Sequence, residues 1–289
     1  MTTTHVLALH GVDLTYDVHG PLPTADGRPP LLLIGQPMEA GGFRALVART
    51  PERTLVTYDP RGLGRSVRKD GRDDHDPTVQ AADLHALIGA LGAGPVELFG
   101  SSGGAIVGLE LVAAHPGDVT TLVAHEPPLL ALLPDAEAAE RARGLVRQAY
   151  LERGWGAGMA AFIAMTSWPG PFGDDYFARP VPDPTAFGLP TADDGRRDDP
   201  LLSDRSWAVS SHRPDVAALT AAPTRIVIAV GEQSAGLFTD RTTIAVAAAL
   251  GLPVTVFPSH HGGFMDGEFG YAGQPDAFAA RLREVLAGD

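Results

Sequence analysis

The stretch Val96-Glu97-Leu98-Phe99-Gly100-Ser101-Ser102-Gly103-Gly104 constrains this chain more than any other: a short apolar strand passes through glycine and serine directly into a helix. The helix reads from Gly103 to His115 and is apolar on nearly every side (Ala105, Ile106, Val107, Leu109, Leu111, Val112, Ala113). A serine in the pattern G-x-S-x-G at a strand-to-helix turn is a nucleophile elbow. The turn is so tight that bulky neighbours are excluded, and glycine tolerates the backbone conformation it demands. Ser102 Oγ is thereby held at the sheet edge above a helix N-terminus, which favours negative charge.

The rest of the chain supplies a setting for such a turn. Strands are expected at Val6–Leu9 and Val12–Val18, joined as a hairpin by His10-Gly11, then at Leu31–Ile34 and Thr54–Tyr58. A helix is expected over Phe43–Arg49, and apolar spacing (Val79, Leu84, Leu87, Ile88, Leu91) predicts another over Pro77–Leu91, closed by Gly92. After the elbow comes a strand at Thr121–Ala124, and then the alternation stops. From Pro127 to Ala222 helices are predicted at Ala136–Arg153 and Trp155–Thr166, followed by a loop rich in Pro, Asp and Gly up to Ser203. Alternation resumes with strand Arg225–Val230, helix Asp240–Leu250, strand Val254–Phe257 and helix Pro275–Leu286. Strands alternating with helices imply an α/β fold, a mostly parallel sheet with helices on both faces. The expected organisation is a core of residues 1–126 and 223–289 with residues 127–222 inserted as a helical cap.

Composition removes several function classes. With 289 residues the chain can bury a full α/β core and still carry an insertion. A formal net charge of −13 argues against nucleic acid as a partner. Cysteine is absent, which rules out disulfides and thiolate metal sites. No apolar run reaches the ~18–20 residues that span a bilayer, so no membrane association is expected. Residues 1–7 lack the features of a signal peptide, and a cytoplasmic location is expected. The run Asp193–Asp199 reads as an exposed loop of paired charges rather than a metal loop. Neither a metal nor an organic cofactor is expected.

Three motifs together resemble the α/β-hydrolase family, and the resemblance covers nearly the whole chain. The elbow is one. Ile34-Gly35-Gln36-Pro37 resembles the family's His-Gly-x-Pro turn, with Ile34 in place of the histidine. Asp59-Pro60-Arg61-Gly62-Leu63-Gly64-Arg65-Ser66 resembles its D-x-R-G-x-G-x-S turn. Ser102 at the nucleophile position sets the chain apart from epoxide hydrolases and haloalkane dehalogenases, which use aspartate there. The family places its histidine after the last strand, where this chain has Pro258-Ser259-His260-His261-Gly262-Gly263. His261 is the expected base, because the two glycines beside it permit a sharp loop, and His260 is expected to pack against that loop. His85, His115 and His212 read as structural or exposed.

The orienting acid departs from the family pattern. The usual aspartate position in Gly231-Glu232-Gln233-Ser234 is occupied by Ser234. Two carboxylates are open as replacements: Glu126, at the end of the strand next to the nucleophile's, and Glu232, two residues early on the usual strand. The oxyanion would be met by the backbone N–H groups of Gly103 and Gln36, since Pro37 has none to give. Trp155, Met159, Phe162, Ile163, Met165 and Trp168 give the insertion an apolar stripe, and no arginine cluster suggests a phosphate handle. The implied activity is a serine hydrolase cleaving an uncharged, apolar or aromatic ester, lactone or thioester, with a small-molecule substrate as its partner. C–C hydrolysis, acyl transfer and perhydrolysis use the same groups, and the missing aspartate also fits a non-catalytic binding protein on this fold.

Overall fold

The computed structural model of the protein describes every residue except Tyr271 and Asp289. Its strands are β1 (Thr2–Leu9), β2 (Val12–His19), β3 (Leu31–Gln36), β4 (Leu55–Tyr58), β5 (Val67–Arg68), β6 (Val96–Ser102), β7 (Val119–His125), β8 (Arg225–Gly231) and β9 (Val254–Phe257). They form one sheet in the order β1-β2-β4-β3-β6-β7-β8-β9, with β5 paired to β2. The β1–β2 and β2–β4 pairs are antiparallel, and from β4 through β3 to β9 every neighbour is parallel.

Parallel strands buried on both faces read as continuous apolar runs, and β3 shows why. Leu32 and Ile34 enter one core cluster, while Leu31 and Leu33 enter the other. The first cluster packs helices α2 (Pro77–Leu91) and α3 (Gly103–Ala114) together with α9 (Phe238–Leu250). The second packs α1 (Arg44–Arg49) and α10 (Pro275–Ala287) around Phe99, Phe257 and Phe264. Burying one such Leu or Phe side chain stabilises the fold by about 1.5–3 kcal/mol.

Between β7 and β8 the chain forms α4 (Ala136–Arg153), α5 (Trp155–Thr166), α6 (Asp174–Phe177), α7 (Trp207–Ser210) and α8 (Val216–Ala221). Helices α4 and α5 share a third apolar cluster with Leu130, Phe172, Leu202 and Phe238. Val209 of α7 and Leu219 of α8 instead join the cluster around α3. No helix among the described residues is long and apolar enough to cross a membrane.

Helices over Pro77–Leu91, Ala136–Arg153 and Trp155–Thr166 and the strand Val254–Phe257 have the expected bounds. The two-residue β5 and the four-residue helices α6 and α7 were not expected, because elements that short carry no periodicity to detect. Helix α6 lies inside the stretch expected to be loop.

Candidate active site

Strand β6 ends at Ser102, whose backbone sits at φ 58° and ψ −128°, and α3 starts at the next residue. Positive φ is rare outside glycine and marks local strain held by its surroundings. The flanking glycines explain how the turn closes. A Cβ on Gly100 would lie 2.8 Å from the Gly104 carbonyl oxygen, and one on Gly104 would collide with the carbonyl oxygen of Ile34. The register pairs Gln36 with Ser102 across β3 and β6, so Gln36 stands beside the serine. A Cβ on Gly103 would come within 2.5 Å of the Gln36 carbonyl oxygen.

Ser102, Gly103, Gln36, His260 and His261 line one cavity of about 510 Å³. Phe162, Ile163, Met165 and Leu202 of the inserted segment line it too. Of the expected stripe, Trp155 points its ring nitrogen at Asp199, and Trp168 packs edge-on against Tyr176.

His261 Nδ1 lies 2.6 Å from Glu126 Oε2. The imidazole is 35% exposed and the carboxylate is fully buried, so the ring opens to the cavity while its partner is sealed behind it. Glu126 follows β7 at φ 50°, with its N–H donating to Ala229 O at 2.9 Å and its Oε1 accepting from Gly231 N at 2.9 Å. Burial pushes the Glu126 carboxyl up. Hydrogen bonds from His261 and the Ser234 hydroxyl, with the charge of the nearby imidazoles, outweigh this and hold it well below the usual carboxylate range.

The second expected carboxylate stands apart. Glu232 is exposed in a short 3₁₀ turn, and its Oε1 accepts from Ser259 N at 3.3 Å. His260 holds its own loop: Gly262 N donates to Nδ1 at 3.1 Å, and Nε2 lies 3.3 Å from Ala272 O. His85 stacks on His115 at 3.8 Å with its Nδ1 2.7 Å from Asp118, and His212 Nε2 meets Glu110 at 3.0 Å. The Asp59–Ser66 turn is structural, with Arg61 donating to both Asp83 oxygens and Asp59 accepting from Ala40 N and Arg65.

Three residues at the site were not singled out as site groups from the sequence. Ser234 is buried and lines the cavity, and its hydroxyl helps to hold the Glu126 carboxyl low. Its place in the motif was the available signal. His125 is fully buried with both ring nitrogens unpartnered, its ring 6.2 Å from that of His261. Arg143 of α4 also lines the cavity.

No family model matches the chain. The uncharacterized hydrolase YraK of Bacillus subtilis is 34% identical over 128 residues, which are 44% of this chain and 45% of that protein. The chain spans less than half the length of the first curated relatives it matches. An α/β hydrolase from Sphaerobacter thermophilus superposes at TM-score 0.64 and 20% identity over 98% of this chain and all of that one. This chain has the α/β-hydrolase fold. A thermophilic esterase from Thermogutta terrifontis, solved with malate bound, matches at TM-score 0.64 and 18% identity over 99% of this chain and 98% of its own. At these identities the likeness is one of fold.

Proposed function

We propose that the protein is a serine hydrolase that cleaves a carboxylic ester, lactone or thioester with an apolar or aromatic body through an acyl-enzyme. One observation carries this reading: His261, with Nδ1 bonded to buried Glu126, shares a cavity with the strained Ser102. With Nδ1–H donated to Glu126, the lone pair of Nε2 is left to accept a proton. A serine hydroxyl is a weak nucleophile and needs such a base.

Nε2 of His261 removes the Ser102 proton as Oγ attacks the substrate carbonyl carbon. Negative charge collects on the former carbonyl oxygen and is met by the N–H groups of Gly103, at the start of α3, and Gln36, at the end of β3. One such donor typically contributes ~10²–10³ in kcat. The imidazolium is stabilised by the Glu126 carboxylate and returns its proton to the leaving oxygen or sulfur. Water then repeats the cycle on the acyl-enzyme. Residues 127–222 act as a cap: Phe162, Ile163 and Met165 give the cavity an apolar wall that excludes water.

The binding-protein alternative drew on the missing aspartate, and the Glu126–His261 bond supports the enzymatic reading over it. The test is labelling with a fluorophosphonate. The adduct is expected on Ser102, and Ser102→Ala is expected to lose both labelling and ester hydrolysis. Labelling that survives in Ser102→Ala overturns the proposal.

A further inference from the structure

Arg143 extends the hydrolase reading, on which this inference rests, to the far end of the substrate. Its Nη1 donates to Ser211 Oγ at 3.1 Å and lies 3.7 Å from Glu140 Oε2, beyond hydrogen-bond distance. The guanidinium carbon stands 3.7 Å from the centre of the Trp207 ring. Its Nη2 is buried and has no partner. A guanidinium carries five donors in a planar fork, so a cavity-lining arginine with Nη2 unpartnered has donor capacity left for an acceptor once the side chain turns toward the cavity. Arg147, one turn later on α4, shows the usual alternative: it is paired with both oxygens of Asp204. Arg143 has only the looser ion pair with Glu140, which leaves Nη2 free of a carboxylate oxygen.

We propose that Arg143 binds a carboxylate on the substrate, so that the preferred esters are half-esters of dicarboxylic acids with an apolar spacer. Helix α7 sets the span. Trp207 and Ser211 hold the guanidinium at one side of it, and Val209 of the same helix stands 2.9 Å from where a Gly103 Cβ would be. The anion subsite and the nucleophile are therefore about one helix diameter apart, on the order of 10 Å. Val146, Leu202 and Val209 line the same cavity and suit a hydrocarbon spacer. Burial lowers the Arg143 pKa to about 10, which leaves the group charged at neutral pH. A single guanidinium edge matches a monoanionic carboxylate better than a phosphate dianion. The uncharged substrate expected from sequence is revised accordingly.

The test has a binding arm and a turnover arm. In Ser102→Ala protein, calorimetry compares monomethyl adipate with dimethyl adipate. The half-ester is expected to bind more tightly, and adding Arg143→Gln is expected to weaken it ~10–100-fold and abolish the preference. With active protein, the ratio of kcat/KM for a para-nitrophenyl half-ester over its methylated counterpart is expected to fall by a similar factor in Arg143→Gln. Arg143→Lys should retain part of the preference, and it decides the matter if Arg143→Gln does not fold. Equal binding of the two adipates, or an unchanged ratio in the variants, overturns the proposal. Selective binding without turnover of either ester upholds the anion subsite and overturns the hydrolase reading instead.

Discussion

The carboxylate of Glu126 and the Nδ1 of His261 meet at 2.6 Å although 135 positions separate them in the chain. Glu126 →Gln is expected to lower kcat by ~10³–10⁴, because an amide no longer fixes the ring tautomer or stabilises the imidazolium. Gln retains an oxygen for the Gly231 N–H but gives up the charge that His261 favours, so the melting temperature should also fall. Glu232→Gln should lower kcat far less, its side chain being exposed. Steady-state kinetics on one ester checks both, and the opposite ranking moves the role to Glu232.

That pairing also marks how far the sequence could be read. The elbow was legible because strand, glycines and helix are contiguous, and the place of His261 at the cavity because its glycines follow it directly. The acid stayed open between Glu126 and Glu232 because each follows one of two neighbouring parallel strands, β7 and β8. What separates them is a backbone turn at Glu126, φ 50°, that sends its side chain inward, while Glu232 faces solvent. Non-local packing decides that turn. Arg143 was hidden for a different reason: α4 also carries Arg141, Arg147 and Arg153, and only the partners of each tell them apart.

Acid should destabilise the protein in a defined window. Burial lowers the His125 pKa from 6.5 to about 4, and burial with the nearby Arg205 and Arg68 does the same for His75. Between those values the unfolded state binds protons that the folded state refuses. Stability is therefore fully present above pH 6.5 and declines as pH falls toward about 4. His125 alone accounts for about 3 kcal/mol of this loss. His125→Leu, which removes the imidazole from among Phe99, Phe257 and Phe278, should flatten the decline. Denaturant midpoints measured across the window give the answer, and an unaltered slope in the variant rules His125 out as its source.

Gly104→Ala tests the elbow as a packing solution. The added methyl meets the Ile34 carbonyl oxygen and lies 2.8 Å from Gly35 Cα, both backbone atoms that cannot swing aside. The expected loss is at least ~2 kcal/mol, with a melting temperature lowered by several degrees. Calorimetry showing an unchanged midpoint would mean that β3 and α3 separate more readily than their packing suggests.

Gln36 separates folding from function within one side chain. Both its amide oxygen and its amide nitrogen are buried without a partner, and the residue lines the cavity opposite Ser102 in the sheet register. An unsatisfied buried polar group costs about 1–3 kcal/mol, so Gln36→Leu should raise stability by ~1 kcal/mol. The substitution keeps the backbone N–H, and any loss of activity then reports on the carboxamide alone. A ~10-fold fall in kcat/KM is the loss expected for one hydrogen bond from the amide to the substrate. A variant that is less stable yet fully active would show the amide to be structural; one more stable and slower would place it in contact with the reacting ester.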